Sequence, residues 1–120
     1  MNGFEKLEVY QKSYKLVLEI YRRTKGFSKE ETYGLTNQIR RASWSIPLNI
    51  AEGYAKRESQ SEFRRFLMMA FGSNAEMEVL LKLSEDLGYM SETESEELKR
   101  GYEEVGRMLN ILIQRIGERI

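Results

Sequence analysis

The residue types that most often carry out catalysis are missing from this sequence of 120 residues. Histidine and cysteine are both absent, which excludes Ser–His and Cys–His nucleophilic pairs, the common zinc sites and the Glu-x-x-His di-iron site of helical bundles. A metal site made of carboxylates alone is the alternative, and no convergent motif supports it. The sequence therefore predicts a protein that is not an enzyme and that needs no metal, cofactor or small-molecule substrate.

Positive charge is the remaining chemistry, and it comes in adjacent pairs: Arg22–Arg23, Arg40–Arg41, Lys56–Arg57 and Arg64–Arg65. In the topology predicted below, one end of the molecule joins the turn between the second and third helices to the chain termini. Six basic residues gather there: Lys56, Arg57, Arg64, Arg65, Arg115 and Arg119. Because Lys and Arg neutralise phosphates and a helix N-terminus offers free N–H groups, this end is a candidate nucleic-acid-binding surface. The alternative is a solvated charged end without a ligand.

The two halves of the chain differ in charge although the total is zero. Residues 1–57 hold 11 Lys and Arg against 6 Asp and Glu, a net of +5, and residues 58–120 hold 8 against 13, a net of −5. This asymmetry is typical of an anion-binding surface, and equally of neighbouring helices that neutralise each other. At the end opposite the candidate surface, four basic residues face a dense acidic cluster, so we expect their charges to cancel there.

Three Ser-x-x-Glu motifs, Ser28–Glu31, Ser59–Glu62 and Ser91–Glu94, have the spacing of capping boxes at helix starts. Together with apolar periodicity they predict four helices, over residues 6–24, 30–54, 61–87 and 92–117. The periodicity continues past Pro47, which predicts a bend there and not an end. Connections of about three to five residues force neighbouring helices antiparallel. We therefore expect one all-α domain over residues 1–120, an antiparallel up-down-up-down four-helix bundle.

The composition, with 41% hydrophobic and 32% charged residues, is typical of a soluble helical protein. No apolar run is long enough for a membrane span. The charged first residues and the absence of cysteine predict a cytoplasmic protein without a secretory signal.

More apolar residues are present than one bundle needs. We expect the inner face of the first helix to include Leu7, Tyr10, Tyr14 and Tyr21, which leaves other apolar residues on the backs of the first three helices. These are Val9, Leu16, Ile20, Trp44, Leu48, Met68, Val79 and Leu83. Contiguous exposed apolar residues usually mark an interface, so the sequence predicts a homo-oligomer. The alternative is a monomer whose curvature turns these residues inward.

The segment from Tyr33 to Gly53 resembles the signature of the bacterial 23S ribosomal RNA intervening-sequence proteins. The matching residues are Gln38, Arg40, Arg41, Ser45, Pro47, Asn49, Glu52 and Gly53. Residues 4–21, 62–67 and 87–91 are also similar to this family, so the resemblance covers nearly the whole chain. The bulky Trp44 departs from it, since small residues are more usual at this position.

The resemblance implies an antiparallel four-helix bundle, ring-like pentamers among relatives, and no known enzymatic activity. A related branch, the accessory proteins of diversity-generating retroelements, is pentameric and basic, and binds a reverse transcriptase and nucleic acid. The zero net charge of this chain argues against that branch, because its function needs a positive surface. Two hypotheses follow: a homo-oligomer that binds RNA or a ribonucleoprotein, and a protein–protein adaptor without nucleic-acid contact.

Overall fold

The computed structural model describes residues 3–120, and every regular element in that range is helical. A 3₁₀ turn at Phe4–Lys6 precedes helix α1, Glu8–Thr24. A second 3₁₀ turn, Lys29–Glu31, leads to α2, Leu35–Ala55. Helices α3, Gln60–Asp86, and α4, Glu92–Gly117, follow. Four helices were predicted, and their order along the chain is confirmed.

The predicted starts of α3 and α4 are confirmed. The Ser59 hydroxyl accepts a hydrogen bond from the backbone N–H of Glu62. Ser91 and Glu94 form the full reciprocal capping box. Helix α3 ends at Asp86, and Gly88 follows with a φ of 83°, the left-handed conformation that glycine adopts without strain. Local sequence is thus sufficient to set these three helix ends.

The predicted start of α2 is wrong by five residues. Ser28 caps the short 3₁₀ turn through the backbone N–H of Glu30, and α2 begins only at Leu35. The carboxylate of Glu31 accepts instead from the Leu35 backbone N–H, at 3.2 Å, and from the Tyr89 hydroxyl, at 3.1 Å. One capping motif therefore serves two consecutive elements. The helix does continue through Pro47 to Ala55, as predicted.

The order of contacts shows how the helices run past each other. Ser45 of α2 hydrogen-bonds Ser73 of α3. Gly53, which comes later in α2, contacts Phe66 and Phe63, which come earlier in α3. The same reversal relates α1 to α4. Arg23 meets Glu94, and Lys12 meets Glu104. This order is compatible with the predicted antiparallel bundle, in a rod with extents of 45 × 23 × 20 Å.

The core lies along the bundle axis. Its largest fully buried side chains include Tyr102, Ile20, Ile39, Ile46 and Leu67. Near the middle, the Asn74 side-chain amide donates to the Tyr102 backbone carbonyl at 2.8 Å, which joins α3 to α4.

The predicted inner face of α1 is wrong. Val9 and Ile20 are 2% and 0% exposed, so they belong to the core of this chain and not to an interface. Ser13 and Thr24 are buried beside them, and their hydroxyls donate to the Tyr10 and Ile20 carbonyls of the same helix. Because these polar groups are satisfied within the helix, they enter the core at low cost.

The tyrosines of α1 lie at the edge of the bundle. Tyr14 and Tyr21 are exposed, and Tyr10 packs on the ring of Phe4 with a centroid distance of 4.8 Å. Leu16, also predicted for an interface, is half-buried because it packs against α4. A Cβ added at Gly101 of α4 would lie only 2.8 Å from Leu16 Cδ2. Within residues 3–120, no helix is long and apolar enough to cross a bilayer.

Candidate nucleic-acid interface

The turn between α2 and α3 presents two of the predicted basic residues, Lys56 and Arg57, in exposed positions. The Arg57 guanidinium carbon lies 4.0 Å from the centroid of the Tyr54 ring, and an Arg57 N–H donates to the Tyr54 carbonyl at 2.9 Å. Lys6 approaches the same ring, with its Nζ 5.7 Å from the centroid. Lys6 was not predicted for this surface, and it reaches this end because the 3₁₀ turn of residues 4–6 folds back onto α2.

A second ring at this end, Phe66, is also flanked by two cations. Lys56 Nζ lies 5.0 Å from its centroid, and the Arg65 guanidinium carbon lies 4.5 Å from it. Both Tyr54 and Phe66 are core residues, so each ring is a fixed support. Four cationic groups are therefore held against two rings. Each such contact is worth about 0.5–1 kcal/mol at an exposed site.

Arg65 is also paired with an acid of its own helix. Its Nε lies 2.8 Å from Glu62 Oε2, and this hydrogen bond lowers the pKa of the Glu62 carboxyl. The pair is exposed, so it neutralises part of the charge of Arg65 without burying it. Of the cations that flank Phe66, Lys56 thus carries the less compensated charge.

Arg64, predicted for the nucleic-acid-binding surface, is only partly accessible to a ligand. It is half-buried, and a Cβ added at Gly117 of α4 would lie 3.2 Å from its Nε. This buried Nε has no hydrogen-bond partner among the described residues. Arg64 therefore packs across the end of α4, and its position depends on that contact.

Arg115 and Arg119 are exposed, as expected for a surface that binds an anion. Arg115 lies between α1 and α4, beside Leu7 and Leu112. It is not among the cations that flank the Tyr54 and Phe66 rings. The structure brings together Lys6, Lys56, Arg57 and Arg65 as one cluster, which we call the basic cluster.

At the opposite end of the bundle, one of the four basic residues predicted there, Arg23, pairs with the acidic cluster. Arg22 pairs with Glu19 of its own helix, and Lys25 and Lys29 form no ion pair among the described residues. Arg23 contacts Glu94 at 3.1 Å and Glu97 at 3.3 Å, and these bonds raise its pKa. Lys82 contacts Asp86 at 3.3 Å and Glu85 at 3.7 Å. The two ends therefore present different fields to an anion.

Most residues of the signature in α2 hold helices together. Gln38 donates to Glu76 at 2.7 Å, and Ser45 hydrogen-bonds Ser73, so both connect α2 to α3. The Asn49 amide donates to the Ser45 carbonyl at 2.8 Å. Pro47 and Gly53 are buried. These five residues therefore have structural roles in the chain.

The charged residues of the signature divide into two groups. Arg40 donates to the Thr24 hydroxyl at 2.9 Å, and its guanidinium carbon lies 4.6 Å from the Tyr21 ring, which ties α2 to α1. Arg41 and Glu52 are exposed. Only these two are free to contact a partner.

Two apolar surfaces remain open to solvent. An open cavity of about 270 Å³ lies between α1 and α2, and we call it the groove. Apolar residues and tyrosines line it, including Tyr10, Tyr14, Val17, Trp44, Pro47 and Leu48. Trp44 is 38% exposed and Leu48 is 48% exposed. The outward face of α3, which we call the ridge, carries Met68, Gly72, Ala75, Val79 and Leu83, all exposed.

Comparison with known proteins gives the chain its family. Proteins with curated descriptions provide no match. A crystal structure from Bacteroides thetaiotaomicron, described as a protein of unknown function from the S23 ribosomal protein family, matches with a TM-score of 0.80 and 23% identity. The match covers 88% of this chain and 95% of that chain, and it shows the shared fold. The family of 23S rRNA-intervening sequence proteins matches residues 5–111. The chain therefore belongs to the 23S rRNA-intervening sequence protein family.

Proposed function

We propose that this protein is a non-enzymatic homo-oligomer that binds RNA, free or in a ribonucleoprotein, through the α2–α3 end of the bundle. The observation that carries the proposal is the basic cluster, in which Lys6 and Arg57 flank Tyr54 while Lys56 and Arg65 flank Phe66. The name of the family refers to a sequence within 23S rRNA, which is in line with contact to RNA.

The geometry suits a phosphate backbone better than a single small anion. A guanidinium stacked on a ring still presents N–H donors at its edge to phosphate oxygens. Arg57 uses one of these donors on the Tyr54 carbonyl, whereas Arg65 already donates to Glu62 and Met69, so Arg57 keeps more donors for a phosphate. Because the rings hold the cations in place before any ligand arrives, less side-chain entropy is lost on binding. The N-terminus of α3 starts at the same turn, and its dipole adds positive potential there.

A second candidate function is a protein–protein adaptor without nucleic-acid contact. The groove and the ridge favour it, because exposed Trp and Met are enriched at the centres of protein interfaces. The two proposals differ in one measurable property. Binding through the basic cluster weakens as salt rises, whereas binding through apolar surfaces does not.

The test compares two triple variants that remove the same number of cations from opposite ends. The first is Lys56→Ala, Arg57→Ala and Arg65→Ala, chosen without Arg64 because that residue packs on Gly117. The control is Arg22→Ala, Lys25→Ala and Lys29→Ala, which are exposed residues of the opposite end. Affinity for a labelled single-stranded RNA is measured over a series of salt concentrations, and circular dichroism confirms that helical content is unchanged.

The first variant should bind more weakly, and its slope of log affinity against log salt should be shallower by about 2, since each phosphate contact contributes about 0.7. The control should stay close to the unmodified protein. Equal weakening by both variants would show that the basic cluster has no special role. An unmodified protein without salt-dependent binding would leave the adaptor as the function.

A further inference from the structure

An open cavity of about 410 Å³ lies between α3 and α4, and the basic cluster does not use it. We call it the α3–α4 cavity. Two small residues, Ala75 and Gly106, lie at its centre and leave the space between the helices unfilled. Three larger side chains from each helix surround them at helical spacing: Phe71, Asn74 and Glu78 from α3, and Glu103, Arg107 and Asn110 from α4.

Asn74 is the buried member of this set, and half of its side-chain amide has no explanation within the chain. The Nδ2 atom donates to the Tyr102 carbonyl at 2.8 Å, and a Cβ added at Gly106 would lie 3.0 Å from it. The Oδ1 atom has no hydrogen-bond partner among the described residues. Buried acceptors without a partner are rare in folded proteins, and a ligand with an N–H donor would supply the partner that this one lacks.

The charged side chains around the cavity are also uncommitted. Glu103 and Arg107 are four residues apart on α4, which is the spacing of a favourable ion pair. Within residues 3–120, neither they nor Glu78 form an ion pair. Asn110 is exposed beside them and offers both donors and an acceptor. The cavity therefore combines one aromatic ring with hydrogen-bonding groups of both kinds.

We propose that the α3–α4 cavity binds one base of an RNA strand, and that it prefers a base with an exocyclic amino group. The proposal rests on the proposed function, to which it adds a preference among bases. Phe71 is 42% exposed, and bases of single-stranded RNA are recognised by stacking on such rings and by hydrogen bonds to their edges. Phe71 follows Arg65 of the basic cluster by six residues, about 9 Å along α3, so one strand can reach both.

The balance of acceptors and donors selects the amino group. Asn74 Oδ1 and the carboxylates of Glu78 and Glu103 all accept hydrogen bonds. Cytosine, adenine and guanine each carry an amino group that donates, whereas uracil has an acceptor oxygen where cytosine has N4. A cationic ligand would also suit the carboxylates, but Arg107 would repel it. A neutral aromatic base with an amino group meets all of these groups without such a conflict.

The test compares an oligocytidylate with an oligouridylate of equal length, about ten nucleotides, at one neutral pH and one salt concentration. Both carry the same number of phosphates, so the basic cluster contributes equally to both. The unmodified protein should bind the oligocytidylate about fivefold or more tightly, which is the low end of the discrimination given by a good base contact. Phe71→Ala should lower the affinity for the oligocytidylate about fivefold or more, since one stacking contact is lost.

The control for the ring is Leu87→Ala, since Leu87 is 53% exposed and lies outside the cavity. It should leave both affinities unchanged. The acceptors are tested by the double variant Glu78→Gln and Glu103→Gln, which should lose most of the preference for the oligocytidylate. Its control, Glu30→Gln and Glu96→Gln, removes the same charge from exposed positions outside the cavity and should keep the preference. Loss of preference in both double variants would overturn the role of the cavity.

The outcomes separate this proposal from the proposed function. Equal affinity for the two RNAs, with both affinities falling as salt rises, would overturn the base preference and leave the basic cluster as the RNA site. If neither RNA binds, the proposed function fails, and nucleosides then test the cavity alone because they carry no phosphate.

Cytidine should shift the nuclear magnetic resonance signals of the Asn74 and Asn110 side-chain amides more than uridine does. The shifts should be the same in the variant Lys56→Ala, Arg57→Ala and Arg65→Ala. If neither nucleoside shifts these signals, the cavity is not a base site. Cytidine that binds as tightly as the oligocytidylate would show that a free nucleoside is the ligand, and would overturn the part of the proposal that concerns a strand.

Discussion

Gly53 on α2 and Phe66 on α3 approach so closely that a Cβ added at Gly53 would lie 2.9 Å from the Cβ of Phe66 and 3.2 Å from the Phe63 carbonyl oxygen. This contact sets the distance between the two helices next to the basic cluster. Because Phe66 is also the ring that Lys56 and Arg65 flank, the packing of a glycine and the placement of two cations are coupled.

Gly53→Ala should therefore destabilise the protein. Overpacking costs about 1–3 kcal/mol, which exceeds the gain of roughly 1 kcal/mol from helix propensity over most of that range. We expect the free energy of unfolding in urea to fall by about 1 kcal/mol. The matched control is Gly72→Ala, which has space for the methyl group and should be stabilising. A stabilised Gly53→Ala variant would contradict the close contact.

Tyr102→Phe should not destabilise the protein, although Tyr102 is completely buried. Its hydroxyl oxygen has no hydrogen-bond partner among the described residues, and burial raises the pKa of this phenol far above its usual range. A buried polar group without a partner costs about 1–3 kcal/mol. We expect the free energy of unfolding to stay the same or rise by about 1 kcal/mol. A loss of 1 kcal/mol or more would mean that a buried water satisfies the hydroxyl.

Trp44 is the single tryptophan of the chain, so its fluorescence reports on the groove directly. It is 38% exposed in one copy, and packing of the groove against another copy in the proposed homo-oligomer would remove it from water. The emission maximum should therefore move to longer wavelength as the protein is diluted from micromolar to nanomolar concentration. Leu48→Asp, which places a charge in the groove, should show the long-wavelength emission at every concentration. If the unmodified protein emits at the same wavelength as Leu48→Asp and this wavelength does not change on dilution, Trp44 is not buried between copies.

Features set by short stretches of sequence could be predicted. The caps at Ser59 and Ser91 and the left-handed Gly88 depend on residues within one turn, and so they are readable from the chain alone. Ser28 shows the limit of predicting a helix from its capping motif. There the same Ser-x-x-Glu motif starts a 3₁₀ turn, because Gly34 interrupts the helix that would otherwise follow.

The face of α1 could not be predicted, because the helix carries two apolar stripes and periodicity does not rank them. The tyrosine stripe has more apolar area, but each hydroxyl needs a partner, whereas the hydroxyls of Ser13 and Thr24 bond within the helix. In the basic cluster, Lys56, Arg57 and Arg65 were predicted. Lys6 was missed, and the packing of Arg64 on Gly117 was not foreseen, since both depend on contacts between distant parts of the chain.

The most direct measurement of the central claim is the affinity of the unmodified protein for single-stranded RNA over a series of salt concentrations. With three or more cations of the basic cluster on phosphates, log affinity should fall linearly with log salt, with a slope of about −2 or steeper. An affinity that does not change with salt, or the absence of binding to RNA at low salt, would contradict it.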